Sequence, residues 1–448
     1  MRTKIKFLLD NSMFLIIGTI AALAWANINF DSYDHFLHTP LIEDTIVGQV
    51  MHHDDHGTEE AAKGAGTELS ESAKALAAGE KPIEQAKGDD HGAKKKKTIT
   101  LHYLVNDILM ALFFAIAGKE VWEATFPGGP LSNAKKAATP LFATVGGMVG
   151  PAAVYCLIAY MGGSFGELSN GWAIPCATDI AFSYMVARIV FGAGHPAIPF
   201  LLLLAIADDA LGLVILAVFY PNPDIPVEPI WLLLPVASMV ICTVFKRMKV
   251  VSFWPYLLVA GTVSWFGFAL AGLHPALGLL PIIPFMPHAH VDTGLFDWSK
   301  LEKNDTLSHF EHWMKNPVEL ILGAFGLLNA GVLLSSSGTA TWAILGGLII
   351  GKPLGIFIFG MIAAKGLGFG FPKGMNWKDL IVLGCAAAIG FTVALFIATV
   401  AFQVGPIQSA AKMGALGSFA AAIITIIAGK MMGIKKVAGA PAAGGHGH

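Results

Sequence analysis

Residues Ala197 to Tyr220 read AIPFLLLLAIADDALGLVILAVFY. A membrane-spanning helix needs about 20 mostly apolar residues, and this run supplies them. Two adjacent carboxylates, Asp208 and Asp209, interrupt it at its midpoint. An ionisable residue at that depth is costly and is a functional candidate by default. Neighbours on a helix diverge by about 100°, so one acid can face an aqueous cavity while the other meets a partner. The plainer alternative is a protonated, hydrogen-bonded pair serving packing alone.

The whole chain fits the same class. It has 448 residues, 55% of them apolar, and only 13% charged, about half the usual share for a soluble protein of roughly 25%. Mean hydropathy is +0.63. Of the 29 basic and 31 acidic residues, twenty fall between Pro40 and Thr98, so the remainder is poorer still in charge. This composition excludes an ordinary soluble enzyme and a disordered chain. The net charge of −2 excludes a nucleic-acid binder, which would carry a basic footprint. Cys156, Cys176, Cys242 and Cys385 stand singly in apolar runs. They form no C-x-x-C pair, so no disulfide framework or zinc site is expected. No cofactor is indicated.

Twelve apolar segments follow, at 12–30, 101–121, 138–161, 172–190, 197–220, 229–246, 252–270, 271–286, 317–335, 340–363, 380–403 and 410–430. No strand-like alternation competes, and the predicted class is an all-α polytopic protein of twelve helices in a lipid bilayer. The eighth segment is short and holds Pro275, Pro281 and Pro284. With both termini cytoplasmic, the inner connections carry Lys135 and Lys136, then Lys246, Arg247 and Lys249, then Lys300, Lys303 and Lys315, then Lys365, Lys373 and Lys378. The short outer loops carry none, and only Lys412 breaks the alternation. The basic start and Ala24-Trp25-Ala26 imitate a signal peptide, but the length of the apolar run favours a retained helix.

The chain divides into an N-terminus and first helix (1–39), a polar insertion (40–97), a membrane core (98–436) and a tail (437–448). The insertion is rich in Ala, Gly, Glu, Lys and His, and is expected to be external and disordered. Its lysines Lys94 to Lys97 do not forbid this, because the charge bias acts weakly on long loops. His52, His53 and His56 could bind a transition metal, although a solvated polar tract is the simpler reading.

Further charges lie in apolar surroundings. Lys352, in Gly351-Lys352-Pro353-Leu354-Gly355, is the obvious counter-charge to the acids. A lysine there must pair or lose its proton, and its role is equally compatible with transport and with structure. The fourth segment holds Pro175-Cys176-Ala177-Thr178-Asp179, and the eleventh holds Gly384 and Ala388-Ile389-Gly390-Phe391-Thr392. Both are expected to break. Segments three to five and ten to twelve would then share an order of straight, broken, straight, and paired interruptions mark a transporter's midplane site. Broken helices expose partial charges at their ends. Asp179 can offset facing N-termini and Lys352 facing C-termini. Alternatively, Asp179 simply caps a helix. Asp107, Glu120, Glu319 and His274 are equally compatible with interfacial and functional roles.

The chain resembles the NhaA family of sodium/proton antiporters. The resemblance rests on Val105-Asn106-Asp107, Ala177-Thr178-Asp179-Ile180-Ala181-Phe182, Leu204-Ala205-Ile206-Ala207-Asp208-Asp209, Asn329-Ala330-Gly331, Gly351-Lys352-Pro353-Leu354-Gly355 and Gly390-Phe391-Thr392. Interrupted helices at the midplane were described in part from members of this family, so that agreement is not independent. The resemblance implies two inverted repeats, with segments four and eleven broken and crossed. It implies Asp208 and Asp209 as the acids that bind H+ and a transported Na+ or Li+, with Thr178 nearby. Asp179 and Lys352 would balance the helix ends, Glu120 and His274 would serve a pH response, and Asp107 would be accessory. A homodimer in a bacterial inner membrane is also implied. The family's Leu-Glu-Val-Lys-Arg-Glu is here Lys119-Glu120-Val121-Trp122-Glu123-Ala124, and its His-Ala-Thr is His274-Pro275-Ala276. The expected activity is electrogenic exchange of external protons for cytoplasmic Na+ or Li+. An intramembrane aspartyl protease would show Gly-x-Gly-Asp, where this chain has Ala207-Asp208-Asp209. In a cation channel, Lys352 would oppose the permeant charge.

Overall fold

Apolar runs of 18 residues or more set the architecture, because each must satisfy its own backbone as a helix. A computed structural model describes residues 13–43, 98–127, 129–222, 225–288 and 305–437. The histidines of the insertion, its lysines Lys94 to Lys97 and nearly all of the C-terminal tail lie outside the described residues.

The chain enters with α1 (Met13–Ile28) and α2 (Phe30–Leu37). Strand β1 (Pro40–Glu43) then pairs antiparallel with β2 (Thr98–Thr100). The helices that follow are α3 (Leu101–Ala124), α4 (Ala134–Met161), α5 (Phe165–Cys176), α6 (Ile180–Phe191), α7 (Ala197–Phe219), α8 (Pro229–Arg247) and α9 (Phe253–Leu270). After these come α10 (Pro275–Phe285), α11 (Thr306–Asn329), α12 (Thr339–Gly366), α13 (Trp377–Ala387), α14 (Phe391–Ala401) and α15 (Pro406–Met431).

Among the described residues, seven helices are long and apolar enough to cross a membrane, or nine if each bent pair counts as one span. The chain is a multi-pass membrane protein. The twelve-helix expectation is met only if α1, α10 and α11 are added, and each falls short for a physical reason. Helix α1 has 16 residues, about 24 Å at 1.5 Å per residue. Prolines break α10 into short tight turns, Pro275–Leu277 and Leu280–Phe285. Helix α11 begins eleven residues before the expected segment and so takes in Glu311 and Lys315.

One short ladder accompanies the helices without changing the all-α class. Pro40 pairs with Thr100, Ile42 with Ile99 and Glu43 with Thr98. These strands have only four and three residues, too few for periodicity to announce them. They bring the two ends of the insertion together, because Glu43 and Thr98 are direct partners.

Small residues set the closest helix contacts, as expected where apolar lipid gives helices little reason to associate. Gly146 and Gly150 of α4 face Gly351 and Gly355 of α12. A Cβ on Gly355 would lie 2.0 Å from the Gly146 carbonyl oxygen, and one on Gly150 would lie 2.3 Å from that of Gly351. In α1, a Cβ on Gly18 would lie 2.1 Å from the Gly323 oxygen of α11. A bent helix pair between two longer helices occurs twice, as α4, α5–α6, α7 and as α12, α13–α14, α15. The bent pairs turn by 54° and 50° at breaks of no more than four residues.

Candidate functional site

Each break is written into its local sequence. Pro175 cannot donate a backbone bond, and Ala177 and Asp179 are extended, ending α5 and starting α6. Ala388, Ile389 and Gly390 separate α13 from α14. The two breaks meet. The Asp179 N–H donates to the Ile389 carbonyl at 2.7 Å, and the Thr178 hydroxyl donates to the Ala387 carbonyl at 3.0 Å. Gly390 permits this approach, because a Cβ there would stand 2.9 Å from the Ala177 oxygen.

Asp179 serves two helix starts at once. Its Oδ1 accepts from the Phe182 N–H of α6 at 3.3 Å. Its Oδ2 accepts from the Thr392 N–H of α14 at 3.3 Å and from the Thr392 hydroxyl. An α-helix carries about +0.5 of a charge at its N-terminus, so one buried carboxylate faces two positive ends. It caps α6 and bridges the two breaks.

Lys352 sits on the opposite electrostatic problem. A wide turn at Gly347–Gly351 immediately precedes it in α12, and such turns are frequent at functional sites. Its side chain is fully buried. The Nζ donates to the Cys176 carbonyl, at the negative C-terminal end of α5, and to Asp208 Oδ2 at 2.8 Å. Asp208 Oδ1 is buried and has no hydrogen-bond donor among the described residues.

Asp208 and Asp209 both line one small cavity, whose wall includes Phe113, Phe114, Cys176 and Phe396. Asp209 is only half-buried. The pair is therefore divided, with Asp208 held by Lys352 and Asp209 presented to the cavity. No group of three or more His, Cys, Asp or Glu side chains that could hold a metal occurs among the described residues.

The sequence profile described as Na+/H+ antiporter 1 matches residues 81–428. The chain belongs to this antiporter family. It is 50% identical to the Na(+)/H(+) antiporter NhaA of Jannaschia sp. (strain CCS1), over 96% of this chain and 98% of that protein. It is 44% identical to the protein of that name in Desulfitobacterium hafniense (strain DSM 10664 / DCB-2), over 97% of each chain. Against the one from Geobacter sulfurreducens it is 42% identical, over 98% of this chain and all of the relative. These relatives do not favour the protease or channel readings.

Two satellite groups of polar residues hold other candidates in this family member. Asp107 and His274 come together, with His274 Nε2 4.0 Å from Asp107 Oδ1. The His274 ring also packs edge-on to Phe396, at 5.1 Å between centroids, which ties the pair to the cavity wall. Glu120 is half-buried one residue from a larger group that the sequence reading missed. Lys119 pairs with Glu311 of α11 and, at 2.5 Å, with Glu123; Glu120 takes part in none of these bonds. The i,i+4 spacing of Lys119 and Glu123 was a readable signal, whereas Glu311 had none linking it to either. Thr392 and the Cys176 carbonyl were also missed as partners of the two buried charges.

Proposed function

We propose that this chain is an electrogenic secondary antiporter, not an enzyme, exchanging external protons for cytoplasmic Na+ or Li+. The observation that carries the reading is the division of the Asp pair, one acid tied to Lys352 and its neighbour open to a cavity where two helix breaks meet. Asp209 alternates between a proton and the cation. Asp208 contributes its free oxygen, and Lys352 keeps its other oxygen oriented. One set of oxygens cannot hold both ligands, so loading the cation releases protons and the reverse, which couples the two flows. More than one proton per cation makes the exchange electrogenic. Asp179 and Thr178 hold the breaks in register, so the site can open to one face at a time.

The reading includes α1, α10 and α11 as membrane elements, giving twelve spans with two inverted repeats and both termini cytoplasmic. The protein would then work in a bacterial inner membrane, as a homodimer, with the insertion outside. Glu120 and His274 are proposed to tune the response to pH, and Asp107 to support His274. The test is exchange in everted membrane vesicles. Addition of Na+ or Li+ should collapse an imposed proton gradient, and the reverse sodium gradient should acidify or alkalinise the lumen with fixed coupling. Cation flux that leaves the proton gradient untouched overturns the proposal.

A further inference from the structure

Where α3 meets α11, a histidine makes two contacts that no single protonation state satisfies. His102 Nε2 lies 3.0 Å from Asn106 Nδ2 and 3.2 Å from Asn329 Oδ1. The first neighbour is a donor and needs a lone pair on Nε2. The second is an acceptor and needs a proton there. One ring nitrogen offers one or the other. Turning the amides over does not remove the conflict. Asn329 Nδ2 donates to the Phe325 carbonyl at 3.0 Å, which fixes that amide's orientation. Asn329 Nδ2 also donates to Asn106 Oδ1 at 2.9 Å, and Asn106 Nδ2 to Asn329 Oδ1 at 3.1 Å, which fixes the second amide through the first. Both asparagines are buried.

We propose that His102 is a proton-binding residue, separate from the Asp pair, that exchanges one partner for another as it titrates. With Nε2 deprotonated, it accepts from Asn106, four residues along the same helix, and α3 closes on itself. Protonated, it donates to Asn329 and adds a third bond between α3 and α11 to the two that join Asn106 and Asn329. The same helix α3 supplies Phe113, Phe114 and Ala117 to the cavity wall, so the strength of the tie reaches the site; only that consequence rests on the proposed function. His102 is the second residue after β2, which places the switch at the end of α3 that carries the hairpin. Tyr103 and Asp107 stand near it along α3, and Asp107 in turn meets His274. Tyr33 reaches the Leu327 carbonyl, two residues from Asn329.

The test uses the full-length protein in detergent and does not require transport. Melting temperature is followed from pH about 5.5 to 8.5, a window around the ordinary histidine value near 6.5. Wild type should lose about 2 °C through that window relative to His102→Gln, which keeps a polar side chain but cannot titrate. His274→Gln should retain the step. A step that survives in His102→Gln, or vanishes in His274→Gln instead, overturns the proposal. Hydrogen–deuterium exchange on wild type covers the case in which His102→Gln does not accumulate. After correction for intrinsic rates, amides in 101–110 and 325–329 should be better protected at the acid end. Equal protection at both ends also overturns it.

Discussion

At the residue scale, Asp208, Asp209, Asp179 and Lys352 each stand in a run where lipid should exclude a charge. These four needed only that argument. Their unequal division did not follow from sequence, since adjacent residues on a helix give no sign of which one meets the lysine. Asp209→Asn is expected to abolish exchange and sodium binding, read by everted-vesicle assay and calorimetry; robust exchange by this variant sinks the mechanism. Asp208→Asn should impair exchange severely and destabilise the protein as well. It strips the counter-charge from the buried Lys352, a loss that costs about 3–5 kcal/mol where one partner of a buried pair is removed. Asp179→Asn removes the charge shared by two helix starts and should raise the sodium concentration for half-maximal exchange while leaving exchange measurable. Thr392→Val deletes one hydroxyl donor to that carboxylate and should act in the same direction, by about ten-fold or less for a bond to a charged group of 1.5 kcal/mol or so. Complete loss in a stable Asp179→Asn protein argues that the acid binds the cation itself. Because protons compete with sodium for the same oxygens, raising the pH should strengthen sodium binding. Calorimetry at pH values between about 6 and 9 checks this, and a flat affinity over that range contradicts a shared site.

At the element scale, Pro175 announced one break and the Ala388–Thr392 stretch the other, and both occur where expected. The polar bridges between helices were illegible. Asn106 and Asn329 appear in quotable motifs, yet nothing in either segment says that the two amides pair across 223 positions. The same holds for Lys119 and Glu311, because a charge near a helix end reads as interfacial until its partner is placed. The glycine faces of α4 and α12 had a visible spacing of four, but their opposition depends on tertiary structure. Gly355→Leu is expected to separate these helices. A Cβ there meets backbone atoms of Gly146 and Gly150, which no rotamer can relieve. Lys352 moves with α12, so the variant should lose exchange and melt several degrees lower, whereas Leu354→Ala on the lipid-exposed face of the same helix should change neither by much. Equal effects of the two substitutions would show that the close approach is unimportant.

At the scale of the whole molecule, hydropathy made the membrane class plain, and the pairing of two helix–break–helix units gave its plan. The number of crossings was less legible, because α1 is short, α10 is split by prolines and α11 carries charge. The hairpin was invisible, since its strands are separated by a long polar tract. Deleting Thr58 to Gly92, within that tract, is expected to leave membrane insertion, melting temperature and exchange close to wild type; loss of exchange in a normally inserted deletion protein would mean that the tract takes part in transport. The hairpin offers a further use. Partners in an antiparallel ladder have Cα atoms about 5 Å apart, and the chain leaves at Glu43 and returns at Thr98 as one such pair. A compact foreign domain whose own ends lie close together can therefore be spliced between them without prying the membrane helices apart. For a small protein that offers electron microscopy little to align on, such a rigid graft would serve as a fiducial mark, mounted on two strands instead of on a flexible tail.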